Sequence, residues 1–338
     1  MSTVTVILPI KNAAHTLARA VQSIQGQASA DWEMIAVDDG SSDRSVELMK
    51  EFIKGDPRIQ LKINPTPGIA NALNYGIAQA NGKYIARMDA DDVSHPNRLE
   101  KQSSYLDNFR HIGLVASRIN FLGDREIHQG YAAYIDWTNE LLNWNDIRAN
   151  RFVESPFAHP SVMFRKRLVE SNLGPYRSGD FPEDYELWLR WMSNGVKMAK
   201  LPDYLLDWYD PPERLSRNDP RYSPQAFYKI KAKYLARWLK SETDIERPIW
   251  IWGAGRITRS RTRFLLEQGI TFAGYIDIDP RKTGTQVQGI PIVMPDDLDL
   301  KSKPIVISYV GNRGAREDIK KNLIEKGLKE ELDFILAA

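Results

Sequence analysis

The segment Asp89-Ala90-Asp91-Asp92 follows an apolar run, Tyr84–Met88, that reads as a buried strand. Residues two apart on an extended chain point to the same side, so Asp89 and Asp91 can converge on one point. Two carboxylates so placed repel each other unless a cation sits between them. Oxygen-only ligation suits a hard ion, Mg2+ or Mn2+, that also bridges to phosphates. On these residues alone, a solvated acidic turn competes with the cation site. A second acidic stretch, Val37-Asp38-Asp39-Gly40-Ser41-Ser42-Asp43, closes another strand run at the edge where open α/β sheets bind ligands. There Asp39 can accept a hydrogen bond from a base or ribose, and capping of the next helix by Ser42 or Asp43 is the plainer alternative. A third, Glu183-Asp184, offers a carboxylate able to take a hydroxyl proton as general base. The same two acids, opening an amphipathic run through Tyr185, Leu187, Trp188 and Trp191, complement a helix dipole, which tunes them toward the charged form.

The elements that must hold these residues are legible mainly in the first third. Short β-branched runs (Val4–Leu8, Trp32–Val37, Gln60–Ile63) alternate with helical periodicity near Leu17–Gln25, Ser45–Lys54 and Gly68–Ala80, the pattern of a parallel α/β sheet. Residues from about 105 to 215 are aromatic-rich, proline-punctuated and less periodic, and read as mixed α/β structure with long loops. Pro211-Pro212 stops regular structure, after which Pro224–Lys240 regains helical spacing. A second α/β pattern starts at Ile249–Trp252 and runs through a helix near Thr258–Gln268, the strands Phe272–Ile276 and Ile305–Ser308, and the helix Ala315–Lys326. The division implied is residues 1–215, a helical linker 216–245, and a smaller Rossmann-like α/β domain 246–338.

Composition sets outer limits. Forty-six Lys and Arg against 44 Asp and Glu give a net charge of +2, so no global field exists to hold nucleic acid, and none is expected as a partner. With no cysteine there is no disulfide, thiolate nucleophile or zinc–sulfur site, which agrees with a cytoplasmic setting. The first residues lack a signal-peptide pattern, and no apolar run spans a bilayer. Membrane contact, if any, is peripheral at the inner face, through the basic helix Lys229–Lys240, whose alternative role is packing between domains.

Taken together, VTVILPIKN (4–12), Asp38–Asp43, GIANALNYG (68–76), GKYIARMDADD (82–92) and EDYELWLR (183–190) resemble, in order and spacing, the family 2 glycosyltransferases, over roughly residues 1–215. The resemblance implies a GT-A doubly wound nucleotide-binding fold and inverting transfer from a nucleotide-diphosphate sugar, with a UDP-sugar favoured. The acceptor it implies is a saccharide or lipid-linked saccharide of surface polysaccharide or glycoconjugate synthesis. Carried over by residue, Pro9 lines the nucleoside, Asp39 contacts the base, and Gly68 lets the chain pass close to the nucleotide. Asp89 and Asp91 form the DxD element, with Asp91 the preferred ligand of Mn2+ or Mg2+ and Asp89 facing ribose or donor sugar as well. Asp184, with Glu183 second, is the base, while His159 and Trp188 are candidate acceptor contacts set against structural roles. Relatives often carry Tyr-Arg over the diphosphate. Here Asp210, Pro211 and Pro212 follow Tyr209, leaving Arg214 or Arg217 as substitutes.

In the smaller domain, Gly253-Ala254-Gly255 with Asp277 and Asp279 downstream resembles a dinucleotide-binding turn, but Thr258 replaces its third glycine. Packing, homo-oligomerisation or partner docking is the favoured role, ahead of bound NAD or S-adenosylmethionine. Two rival functions are weaker. A nucleotidyltransferase needs a glycine-rich basic loop after the first strand, and Leu8–Ala14 has no glycine; a catalytically silent sugar-nucleotide binder has no need to keep both acidic pairs.

Overall fold

The computed structural model describes residues 3–211, 214–244, 246–312 and 314–338. Pro212, part of the expected stop, and Ile245, the expected linker end, lie outside them. The chain forms two compact units, Met1–Ile147 with Pro156–Asp219, and Arg148–Ser155 with Pro220–Ala338.

The first unit is built on strands β1 (Val4–Ile10), β2 (Trp32–Asp38), β3 (Ile59–Ile63), β4 (Tyr84–Arg87), β5 (Val93–Ser94), β6 (Ile112–Leu122), β7 (Met163–Arg165) and β8 (Lys197–Tyr209). They make one eight-stranded sheet ordered β3-β2-β1-β4-β7-β6-β8-β5. β1 pairs in parallel with both β2 and β4, while β7 runs antiparallel to β4 and β6. β1, β2 and β4 are buried along their whole length, as their largely apolar sequences require of strands covered on both faces. Helices Leu17–Gln25, Ser45–Gly55 and Ile69–Ala78 connect them within two residues of the expected bounds.

The middle of the chain holds the long strands that periodicity did not reveal. β8 contains Pro202, yet pairs with β6 from Lys197 to Tyr209 because the register shifts between the Ser117–Leu201 and Arg118–Tyr204 pairs. That bulge absorbs the residue that cannot donate to the ladder.

In the second unit, strands β9 (Ile249–Trp252), β10 (Gly274–Ile276), β11 (Gln286–Val287), β12 (Ile290–Val293), β13 (Ile305–Ser308) and β14 (Phe334–Leu336) form a sheet ordered β11-β12-β10-β9-β13-β14. All its pairings are parallel except β11 with β12. The turn after β9 is tied down from within: Gly253 has φ +101, and Ala254 N–H donates to Asp277 Oδ2 at 2.9 Å. Lys282 Nζ donates to the same oxygen at 3.0 Å, and buried Thr258 fills the space beside Gly253. The short stretch Arg148–Ser155 belongs here. Arg151 Nη1 meets Glu331 Oε1 at 2.6 Å, Lys231 Nζ donates to Val153 O at 3.0 Å, and Phe152 and Val153 are buried.

Candidate active site

The sheet of the first unit changes direction of growth between β1 and β4, and the carboxyl ends of the parallel strands β2 and β4 carry the Asp38–Asp43 and Asp89–Asp92 stretches to the same edge, with Pro9 near the end of β1. Pro9 is buried on β1 opposite Val37, and Asp39 N–H donates to Ile10 O at 2.8 Å. The Asp39 carboxylate accepts Gly68 N–H at 2.9 and 3.1 Å and Asn64 Nδ2 at 2.6 Å, with Lys11 Nζ 3.9 Å from Oδ2. Asp39 thereby fixes the entry to helix Ile69–Ala78. Gly68 sits there at φ +118, a conformation closed to other residues without strain. The neighbouring acids serve the loop itself: Asp38 accepts Gly40 and Ser41 N–H, and Asp43 accepts Ala14 and Ser45 N–H.

At the end of β4, Asp89, Asp91 and Asp92 each offer an oxygen, all within 4.8 Å of one another. Asp92 Oδ1 accepts Tyr209 N–H at 2.9 Å, while Asp92 Oδ2 is buried and has no hydrogen-bond partner among the described residues. Three carboxylates and an orphaned buried oxygen fit a hard divalent cation. Burial works against ionisation of Asp89, yet Arg87 and Arg214 hold it below the usual carboxylate range. Asp91 is pushed up to about 6 by burial and by the charge of Asp89. Asp92 is raised well above the usual carboxylate range, by burial and then by Asp91 and Asp89. A cation reverses that cost by favouring every ionised oxygen around it.

Two arginines frame the cluster. Buried Arg87 donates through Nη2 to Asp89 Oδ1 at 2.7 Å. Arg214 places Nη2 4.0 Å from Asp89 Oδ2 and Nη1 3.9 Å from Asp91 Oδ2. Its guanidinium lies 3.7 Å from the Trp208 ring centroid and donates to Tyr209 O at 2.8 Å. Arg217 turns elsewhere, meeting Asp210 Oδ2 at 2.5 Å and His128 Nε2 at 3.2 Å. Of the two arginines the sequence offered, Arg214 is the one at the acidic cluster. Arg87 carried a signal that sequence reasoning missed: it stands two residues before Asp89, on the same side of an extended chain.

Helix Glu183–Met192 is buried all round except at Asp184, which is half-buried. Arg190 is structural, as its pairing with Glu186 (Nη2–Oε2, 3.0 Å) and donation to Pro175 O show. Asp184 Oδ1 accepts Tyr185 N–H at 2.7 Å, yet its carboxyl is pushed up to about 8, by burial and by Glu183. The helix N-terminus was expected to favour the charged form, and these two effects outweigh it. Glu183 is buried, with Oε1 3.9 Å from His159 Nδ1, and His159 Nε2 lies 2.8 Å from the Tyr176 hydroxyl. Burial and the Arg87 charge hold His159 well below its usual value, so the ring is neutral. Burial raises Tyr176 well above its usual range, with Arg87 opposing and Asp184, Glu183 and Asp89 adding to the rise. The Trp188 ring is fully buried edge-on against Phe157, His159 and Trp191, and the expected sugar platform is core packing.

Comparison with known proteins places this arrangement in a known group. The family model described as Glycosyl transferase family 2 matches residues 5–173. The putative glycosyltransferase EpsE of Bacillus subtilis (strain 168) is 30% identical over 236 residues, covering 65% of this chain and 77% of EpsE. The O-antigen biosynthesis glycosyltransferase WbnJ of Escherichia coli is 29% identical over 231 residues, covering 66% and 84%. Among solved structures, S. aureus TarS 1-349 in complex with UDP-GlcNAc superimposes with a TM-score of 0.57 at 16% identity, over 79% of this chain and 71% of that one. That likeness shows the fold, GT-A; the second unit of this chain has its own six-stranded sheet.

Proposed function

The chain belongs to glycosyl transferase family 2, and from that premise we propose an inverting, divalent-cation-dependent enzyme that moves a sugar from a UDP-sugar to a saccharide or lipid-linked saccharide. The setting is surface polysaccharide or glycoconjugate synthesis, as the name of WbnJ suggests, and the donor class follows the UDP-GlcNAc held by TarS. No described helix is long and apolar enough to cross a membrane. The enzyme works in the cytoplasm, against the inner membrane face where lipid-linked acceptors are held.

The observation that carries the reading is the meeting of Asp89, Asp91 and Asp92 with Arg214 beside them. Mg2+ or Mn2+ held by Asp91 and Asp89 would neutralise charge on the departing diphosphate. Asp39 and the Gly68 turn line the nucleoside. Arg214, stacked on Trp208, supplies a fixed cation at the diphosphate. Asp184 takes the acceptor's hydroxyl proton as that oxygen attacks C1 and the C1–O bond to the diphosphate breaks. A single base and no enzymic nucleophile give inversion. Neutral His159, hydrogen-bonded to Tyr176 beside Glu183, orients the acidic pair and borders the acceptor.

Calorimetry of UDP binding with and without Mn2+ tests the cation, with Asp91→Ala as the control that should erase the difference. Equal UDP affinity with and without Mn2+ in the unaltered protein would remove the metal from the reaction.

A further inference from the structure

The second unit carries a local charge that the transfer chemistry does not use. Helix Pro224–Glu242 buries Ile230, Leu235, Trp238 and Leu239 and turns Lys229, Lys233, Arg237 and Lys240 to solvent. Those spacings of four, four and three residues lay the four cations along one face over about 16 Å. Helix Arg256–Glu267 packs against it, joined near the far end by Lys240 Nζ donating to Gln268 O at 3.0 Å. This second helix exposes Arg256 and Arg263 and only one acid, Glu267. Lys229, Lys233, Arg256 and Arg263 form no ion pair among the described residues. In a chain of net charge +2, six exposed cations on two adjoining helices are a concentration and not a share of the average.

Two apolar side chains accompany them. Ile257 is 67% exposed and Leu266 48% exposed, both on helix Arg256–Glu267. Folding gains nothing from leaving them in water beside arginines. An interface of anionic headgroups and acyl chains accommodates both kinds of side chain, because long cationic stems reach headgroup phosphates while aliphatic groups enter the acyl boundary. A nucleic acid would match the cations and leave the aliphatic side chains without a partner.

We propose that the paired helices Pro224–Glu242 and Arg256–Glu267 form a peripheral docking surface for an anionic lipid bilayer. This goes beyond the transfer reaction and does not depend on the donor or on the identity of the acceptor. Each cation near such a surface contributes roughly a fivefold gain in partition, screened by salt.

The test is co-sedimentation of the full chain with vesicles of phosphatidylglycerol and phosphatidylcholine, against vesicles of phosphatidylcholine alone, at low and high salt. Binding confined to the anionic vesicles and lost in high salt is expected. At low salt, Lys229→Gln with Lys233→Gln should lower the partition about 25-fold, and Ile257→Ser with Leu266→Ser should lower it as well. All of these positions are exposed, and unchanged UDP affinity and melting temperature confirm that each variant is folded. Equal binding to both vesicle types, no loss in the Lys variants, or capture of duplex DNA or RNA without capture of vesicles would each overturn the proposal.

Discussion

Arg214 Nη1 stands 3.9 Å from Asp91 Oδ2, close enough to offset the acidic pair but too far for a hydrogen bond. Its guanidinium is anchored by Trp208 and Tyr209 O, so the side chain is held at the acids without being consumed by them. In the proposed reaction, diphosphate oxygens entering this space would meet a positioned cation. Arg214→Ala should weaken UDP affinity about 10- to 100-fold, the loss expected for hydrogen bonds to a charged group. Arg214→Lys should restore little of it, because an ammonium neither stacks on Trp208 nor spans two oxygens. Calorimetry on the two variants checks this, and full affinity in Arg214→Ala would move the diphosphate elsewhere.

Asp184 gives a prediction in pH. As a general base it acts when ionised, and with its carboxyl pushed up to about 8 by burial and Glu183, turnover should climb through that region and fall on the acid side. Asp184→Asn should lower turnover ~10²- to 10⁴-fold while leaving UDP affinity near normal. Stability should move the other way. The folded state binds this proton more tightly than the unfolded chain, so the unaltered protein loses stability as pH rises from the usual carboxylate range through about 8. The amide cannot ionise, and the melting temperature of Asp184→Asn should exceed that of the parent at pH 9. A variant that retained turnover would shift the role to Glu183.

Asp39 and Gly68 act together, since the carboxylate of one holds the backbone N–H of the other at 2.9 Å. Gly68→Ala forces a side chain into φ +118 and should cost about 1–3 kcal/mol, read as a lowered melting temperature with weaker UDP binding. Asp39→Ala should weaken UDP binding yet leave turnover with saturating donor largely intact. If UDP binding survived both changes, the nucleoside would lie away from this turn.

These assignments show where the sequence was legible. Asp39, Asp89 and Asp91 follow strands that are mostly apolar, so both the strands and their carboxyl edges could be placed from the sequence pattern. β8 was hidden by Pro202, whose cost the bulge against β6 removes only in three dimensions. Trp188 misled for another reason. Glu183, Glu186 and Arg190 of this helix are buried along with its apolar residues, so its charged positions do not mark an outward face, and only packing shows that the tryptophan points inward. Asp184 was read as dipole-stabilised because its neighbours in sequence are visible while the burial that opposes ionisation is not.

The stretch Arg148–Ser155 left no compositional mark, yet it interrupts the first unit and completes the second. Phe152 and Val153 are buried there, Arg148 Nε and Arg151 Nη1 meet Glu331 at 2.9 and 2.6 Å, and Lys231 Nζ holds Val153 O at 3.0 Å. Truncation after Asp219 removes Glu331 and Lys231 and exposes Phe152 and Val153 to water. Such a truncation should melt well below the full chain and aggregate. Replacing residues 148–155 in it by a short Gly-Ser linker should recover solubility and UDP binding, because Asp39, Gly68, Asp89 and Asp91 all lie in the first unit. In the full chain, Glu331→Ala should cost about 1–3 kcal/mol by removing the carboxylate that buried Arg151 donates to, with UDP affinity unchanged. Thermal melting and UDP titration of the three proteins decide it. A plain truncation as stable as its linker-replaced counterpart would show that the stretch contributes nothing to the fold.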